Sequence, residues 1–526
     1  MIKYKIKKLV QKSIVSVYSK AGDITFSVEP ADKKFGDYSS NVAMVLAKQV
    51  GEKPENVAGK FVKELSKDEM FERVEVAKPG FINFKIALPY LQNEILEINQ
   101  AGEAYGNSDL GKDLKINVEF ISANPTGPLT LGNGRGGYAG DCLANVLESF
   151  GAQVEREYYI NDRGAQVIAL GHSVLKDSEK VYKGIHIDQI ASKITSKKPE
   201  EAGSQAVAIL MEESIKKTIA QMGIKFDRWF RETDLHKGPV EEILGKLKSD
   251  KLTYKSDGAL WLKTTDFGDD KDRVLITKEG EYTYFASDIA YHWDKIRRGY
   301  NILIDFWGAD HHGYIGRMLS AVQILQKEEN WSGELKIIIA QLVRLISKGQ
   351  EVKMSKREGN FVTLDELISE VGNDVTRFFF IERAMNTHMD FDLDLAKEHS
   401  EKNPVYYVQY AYARIHSILA KSTTNHSITT NHSIAALIKE PAELSLIKEL
   451  IKLPDIIIEA AEDYQVQRLP FYAIELANKF HNFYENCQVI SEDRNLTLAR
   501  IDLIKATQIV LKKTFDLMGI SAPEKM

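Results

Sequence analysis

The chain has 526 residues, too many for one ordinary core, and its length points to about three domains. With 44% hydrophobic and 27% charged residues it reads as a globular protein, and no apolar run approaches the ~20 residues of a membrane span. A net charge of −6 excludes a global attraction to nucleic acid, so any such contact must come from local patches.

The first stretch, "MIKYKIKKLVQKSIVSVYSK", lacks a continuous apolar segment and is not read as a signal peptide; its six lysines fit one solvated helix face. Apolar residues at helical spacing run through "SSNVAMVLAKQV" and "ENVAGKFVKEL". "RVEVAKPGFINFKI" then alternates like two short strands around Pro79-Gly80. Residues 1–105 are therefore expected to form a small α+β unit.

From about residue 113 the pattern changes. "KINVEFIS" is a β-branched run suited to a buried parallel strand. "GGYAGDCLANVLESFG" follows with helical periodicity and stops at Gly151, and "AQVEREYYIND" reads as the next strand. Strand, helix, strand is the signature of a doubly wound parallel sheet. Between the first strand and its helix lies "SANPTGPLTLGNGRGG", residues 122–137. A strand end followed by a helix start, with Gly132, Gly134, Gly136 and Gly137 admitting close approach, suits a nucleotide phosphate. Residues 175–280 are expected to be a helical insertion, with helices such as "GSQAVAILMEESIKKTIAQMG". Strand-like runs return at "YNILIDFWG" and "LKIIIAQLVRLI", which closes a Rossmann-like domain over 106–385. Beyond "HMDFDLDLAKEHS" the chain is almost purely helical, over 386–526. The tandem "TTNHSI" at 423–434 packs no core and reads as a solvated loop. Cys142 and Cys487 stand far apart, which argues against a disulfide framework and a zinc site and fits a reducing cytoplasm.

"QEVKMSKREGNFVTLDEL" carries Lys353-Met354-Ser355-Lys356 between a strand-like run and a helix. Together with "SANPTGPL" and the Gly-Arg-Gly at 134–136, this resembles the class I aminoacyl-tRNA synthetases, specifically the arginyl-tRNA synthetase family. The resemblance covers nearly the whole chain, including "FGDYSSNVA", "AKPGFINF", "NPVYYVQYAYARIHSIL" and the ending "GISAPEKM". One departure stands out: Thr130 and Asn133 replace the two histidines of His-x-Gly-His. Tryptophanyl synthetases of the same class commonly show Thr-x-Gly-Asn here, and hydroxyl and amide groups can supply hydrogen bonds in place of imidazoles.

The resemblance implies activation of L-arginine by ATP, with Mg2+ arriving on ATP and no permanent cofactor, and transfer to tRNA(Arg). It implies tRNA binding before activation, no membrane partner, a monomer and a cytoplasmic location. Thr130, Asn133, Lys353 and Lys356 would stabilise charge developing on phosphate. Gly132, Gly134, Gly308, Asp310, His311, His312, Met354 and Ser355 would line the ATP site. Glu232, Tyr284 and Asp288 would hold the guanidinium and Asn124 the α-amino group, with Glu119 beneath them. Tyr284 and Asp288 share a helix face at i, i+4. Asp310, His311 and His312 lack a further ligand at zinc-like spacing, so no metal is assigned. Phe81 and Asn83 would meet the tRNA elbow, and Tyr406, Gln409, Arg414 and the terminal Met526 the anticodon side. For Phe81 and the tyrosine stripe, core packing remains the open alternative. Two other functional readings remain open: a tRNA-binding protein without chemistry, which the missing histidines favour, and activation of a different cationic amino acid.

Overall fold

The computed structural model describes residues 1–19, 24–32, 34–352, 363–422 and 432–526. The first helix, Ile2–Val17, buries Ile2, Ile6, Val10 and Ile14, one residue per turn. Its Lys7, Lys8 and Lys12 face solvent, whereas Lys3 pairs with Glu29 and Glu459 and the exposed Lys5 with Glu94. It packs with helices Val42–Val50 and Pro54–Leu65 on an antiparallel sheet of β1 (Val28–Pro30), β2 (Tyr38–Ser40), β3 (Phe71–Ala77) and β4 (Phe81–Ile86) in the order β1-β2-β4-β3.

The centre of the molecule is a five-stranded parallel sheet. It consists of β5 (Lys115–Glu119), β6 (Gln153–Ile160), β7 (Arg228–Arg231), β11 (Ile302–Gly308) and β12 (Glu334–Ala340), ordered β12-β11-β5-β6-β7. The chain starts in the middle, builds outward through β6 and β7, then returns to the other side of β5. The direction of winding therefore reverses between β5 and β11, and a crevice opens beyond their carboxyl ends. The helix Leu131–Phe150 connects β5 to β6 and ends at Gly151, whose φ of 105° is left-handed.

The stretch 175–280 is not a wholly helical insertion. It contains β7, which completes the parallel sheet, and a separate antiparallel sheet of β8 (Thr253–Ser256), β9 (Ala259–Leu262) and β10 (Arg273–Ile276). β7 is the four-residue "RWFR", exposed at both terminal arginines, and is too short and too charged to show strand periodicity. A last small sheet joins β13 (Val343–Ser347), β14 (Gln350–Glu351) and β15 (Met389–Asp392). The C-terminal part packs the helices Pro404–Lys421, Pro441–Leu450, Leu453–Asp463, Arg468–Asn486 and Arg494–Met518 around Leu446, Leu476, Phe480, Phe483, Leu503 and Phe515. Most of the tandem repeat, 423–431, lies outside the described residues; its end enters the short helix His432–Ala435, with Ile434 packed on the core.

The two ends of the chain meet. Lys3 N donates to Asp455 Oδ2 at 2.9 Å, and Asn99 Nδ2 to the Asp502 carbonyl at 2.9 Å. The C-terminal helix is also pinned to the helix Leu131–Phe150. Buried Arg377 donates to the Met518 carbonyl at 2.9 Å and to Asp141 Oδ2 at 2.5 Å. Gly519, at φ 71°, has no room for a side chain, because a Cβ there would overlap the Arg377 guanidinium. Gly51 has nearly the same φ, 70°, but open space around it. Gly519→Ala should therefore destabilise by about 3 kcal/mol and lower the thermal unfolding midpoint, whereas Gly51→Ala should cost only about 1 kcal/mol.

Candidate active site at the sheet reversal

β5 ends at Glu119, and the chain then turns through Ile121 and Ser122, both with positive φ (68° and 34°). Left-handed backbone is costly for a β-branched residue, so this turn is held by its surroundings. The Ser122 hydroxyl donates to Glu119 Oε1 at 2.9 Å and accepts from the Tyr159 amide at 3.1 Å. The turn delivers the chain to Thr130, the N-cap of the helix Leu131–Phe150.

Thr130 and Asn133 form a closed capping box. The Asn133 amide donates to Thr130 Oγ1 at 3.4 Å, while Asn133 Oδ1 accepts from the Thr130 amide at 2.9 Å and from the Thr130 hydroxyl at 2.8 Å. The threonine proton is thus committed to its neighbour instead of a ligand. The donor left to meet a phosphate is Asn133 Nδ2, alongside the helix's first-turn N–H groups and positive dipole end. Gly132 opens to the crevice, with only Thr130 Oγ1 near its Cβ position. Gly134 does not: a Cβ there would sit 2.6 Å from Leu364 Cδ1, so its smallness serves packing of the helix and not approach of ATP. Arg135 is fully buried and donates to the carbonyls of Gln341 and Ala384, both at 2.8 Å, which ties this helix to the residue after β12 and to the turn beyond the helix Asn373–Ile381.

The crevice has two adjoining chambers. One, of about 890 Å³, lies against Thr126, Thr130, Gly132, Asn133, Gln341 and Asp310. The other, of about 1110 Å³, contains Glu119, Glu232, Tyr284, Asp288, His311 and Tyr314. Asn124, Asn133, Gln166, Gly308 and Asp310 line both. His312 lines neither; the 3-10 turn Ala309–Tyr314 leaves it exposed outside. Among the described residues no group of three or more His, Cys, Asp or Glu is placed to hold a metal ion.

The acids of the second chamber divide into two kinds. Glu119 and Asp305 share the fully buried Lys295, whose Nζ donates to them at 2.6 and 2.9 Å; Asp305 also pairs with His292 at 2.9 Å. Burial works against the charge of Lys295, but Asp305 and Glu119 outweigh it and hold the ammonium above its usual range. Glu232 and Asp288 are also buried, yet no ion pair to either is found among the described residues. Burial pushes both carboxyls up to about 7. Asp288 accepts from the Tyr314 hydroxyl at 2.5 Å, and Tyr284 stands one turn before it, half-exposed at the rim. Two buried acids with no ion-pair partner among the described residues stand beside aromatic rings, with Arg163 on the wall of the same chamber, an arrangement that suits a planar cation.

Comparison with known proteins gives the family. Residues 4–86 match the model of the arginyl tRNA synthetase N terminal domain, residues 186–393 that of the tRNA synthetases class I (R) catalytic domain, and residues 408–526 that of the DALR anticodon binding domain. The arginine–tRNA ligase of Aquifex aeolicus (strain VF5) is 40% identical over 584 residues and covers 99% of both chains. That of Geobacillus kaustophilus (strain HTA426) is 42% identical over 559 residues, covering 100% of this chain and 99% of its own. The chain belongs to the arginyl-tRNA synthetase family. The arginyl-tRNA synthetase of Thermus thermophilus, at 20% identity, shares the fold over 100% of both chains with a TM-score of 0.79.

For this family the remaining candidates sort by exposure. Phe81 is exposed at the start of β4, but Asn83 is buried in the middle of that strand between β2 and β3 and is not a surface contact. Gln409 is likewise committed: its Nε2 donates to Asp374 Oδ2 at 2.9 Å and to the Ser521 carbonyl at 3.0 Å. Tyr406 is half-buried and stacks on Tyr410, while the Arg414 guanidinium lies over the rings of Tyr410 and Tyr484, at 5.5 and 4.9 Å. Met526 is exposed. Lys353, Met354, Ser355 and Lys356 lie outside the described residues.

The raised carboxyls predict a pH dependence. Glu232 and Asp288 are protonated below about 7 and charged above it, whereas a guanidinium stays charged throughout. Calorimetric affinity for L-arginine should rise from pH 6 to 8, by about tenfold per unit below 7 when one proton must leave. Asp288→Asn should weaken this affinity by about 100-fold and flatten the profile. It should also raise the unfolding temperature at pH 8, where the native acid is ionised against the preference of its surroundings.

Proposed function

We propose that this chain is an arginine–tRNA ligase whose chemistry occurs in the crevice beyond β5 and β11. L-Arginine lies in the acidic chamber, its guanidinium between Glu232 and Asp288 with Tyr284 at the rim and its α-amino group on Asn124. ATP enters as its Mg2+ complex against Gly132, Asn133, Gly308, Asp310 and His311. The arginine carboxylate, already ionised, attacks the α-phosphate and expels pyrophosphate, so no general base is required. Asn133 Nδ2 and the first-turn N–H groups meet the developing phosphate charge, and Lys353 and Lys356 supply cations to the leaving pyrophosphate. The 3′-terminal adenosine of tRNA(Arg) then takes the arginyl group. Phe81 contacts the tRNA elbow, and Tyr406, Arg414 and Met526 contact the anticodon side.

The pair of buried acids with no ion-pair partner among the described residues carries this reading. A site that only held RNA would have no use for them. The closed capping box likewise favours catalysis over a vestigial loop, because it keeps a donor-bearing helix start aimed at the crevice. We further propose that the protein acts as a cytoplasmic monomer built of units 1–105, 106–385 and 386–526 and activates arginine only with tRNA bound.

The test is arginine-dependent ATP–pyrophosphate exchange with and without tRNA(Arg). Exchange is expected only with tRNA, and Lys356→Ala should lower it by about 100-fold or more. Thr130→Val should cost less than Asn133→Ala, because the hydroxyl acts through the amide. Absence of exchange in both conditions, with tRNA still bound, would leave only a binding function.

A further inference from the structure

One wall of the nucleotide chamber comes from outside the sheet crevice. Val181, Tyr182, Lys183 and His186 line it, on a segment that follows the helix Ala165–Leu175. This segment is fixed at several points. Ser173 Oγ donates to the Ala169 carbonyl at 2.7 Å and accepts from the amides of Val181 and Tyr182 at 3.1 and 2.9 Å. His172 Nδ1 pairs with Asp177 at 2.7 Å, and Lys176 bridges to Asp188 at 2.7 Å, which clips the two ends of the segment together. Such a segment is a wall and not a lid.

Its two polar rings converge on the Thr126–Gly127 turn of the signature segment. His186 Nε2 lies 3.3 Å from the position a Cβ of Gly127 would take, tighter than ordinary contact, so a side chain at residue 127 would press on this ring. Thr126, Tyr182 and His186 line the same chamber, the Tyr182 hydroxyl beside the Thr126 side chain and the His186 ring beside the Thr126 backbone. Burial lowers the His186 pKa, so at neutral pH the ring is uncharged and acts as a hydrogen-bonding group. Gly127 is followed by Pro128, Leu129 and the capping residue Thr130. The rings therefore buttress the turn that sets where the helix Leu131–Phe150 starts. The segment faces a cavity: Val181, which lines it, and Ile185 are 61% and 78% exposed, while Ile187 is buried and Tyr182 packs partly on the core.

We infer that Tyr182 and His186 are positioning residues for arginine activation, holding the Thr126–Gly127 turn so that the Thr130–Asn133 cap meets the nucleotide. This rests on the assignment of that chamber to ATP. Neither residue forms part of the parallel sheet or of the acidic chamber, so their influence should be specific to the nucleotide.

The experiment measures ATP–pyrophosphate exchange by the full-length protein at saturating tRNA(Arg), with ATP and L-arginine varied in turn. His186→Ala should lower kcat/KM for ATP about tenfold while the KM for arginine stays within about twofold. His186→Gln, which keeps a hydrogen-bonding group at similar reach, should recover most of the loss. Tyr182→Phe should show a smaller defect of the same kind, and Gly127→Ala should mimic His186→Ala by pushing the ring away. Unfolding temperatures should stay within about 2 °C of the parent. Unchanged ATP parameters in His186→Ala would overturn the inference. So would a defect confined to the KM for tRNA, which would give the wall to the tRNA 3′ end, or an equal loss for every substrate with a lowered unfolding temperature. Absence of exchange in the parent protein would overturn the assignment of the chamber and this inference with it.

Discussion

Everything in the crevice depends on where one helix begins. The helix Leu131–Phe150 starts at the point where the parallel sheet reverses its winding, and the Thr130–Asn133 box fixes that start. A helix start carries unsatisfied N–H groups and a partial positive charge, so its position decides where a phosphate can be bound. The rest of the molecule holds it in place. Arg135 ties its first turns to the end of β12, Arg377 clamps Asp141 in its third turn, and through Arg377 the last residues of the anticodon-side helix reach the same element. One buried guanidinium thus bridges the helix at the crevice and the C-terminal helix.

The second constraint is electrostatic. Four buried acids line the acidic chamber, and each ionised carboxylate is costly to bury. Lys295 and His292 compensate Glu119 and Asp305 from below. Among the described residues Glu232 and Asp288 have no ion-pair partner, and burial holds both carboxyls raised even with Arg163 acting on Glu232, which leaves room for a cationic ligand. The planar, permanently charged guanidinium meets two carboxylates better than an ammonium can, so the same arrangement favours arginine over lysine.

Local patterns carried the fold. The β-branched run of β5, the glycine-rich start of the next helix, its stop at Gly151 and the following strand are adjacent in sequence, and periodicity reveals them. β7 escaped because four residues flanked by arginines give no period. The acids of the chamber were recognisable only through family resemblance, since Glu119, Glu232 and Asp288 come from separate segments and a single acid usually sits on a solvated surface. Lys295 and Tyr314 gave no signal at all. A lysine on an amphipathic helix reads as solvated, and its partner Glu119 lies 176 residues away. Polarity alone also misled: Asn83 and Gln409 look like RNA contacts, but each is buried where the fold uses it. Gly134 and His312 show the same limit, because motif membership does not say which way a residue faces.

The most direct test of the account is a crystal structure of the protein with a non-hydrolysable arginyl-adenylate analogue. The account predicts the guanidinium between Glu232 and Asp288, Lys295 still bound to Glu119, and the phosphate mimic within hydrogen-bond reach of Asn133 Nδ2 at the helix start. A guanidinium on Glu119 with Lys295 displaced, or a phosphate mimic on the Thr130 hydroxyl with the capping box open, would contradict it.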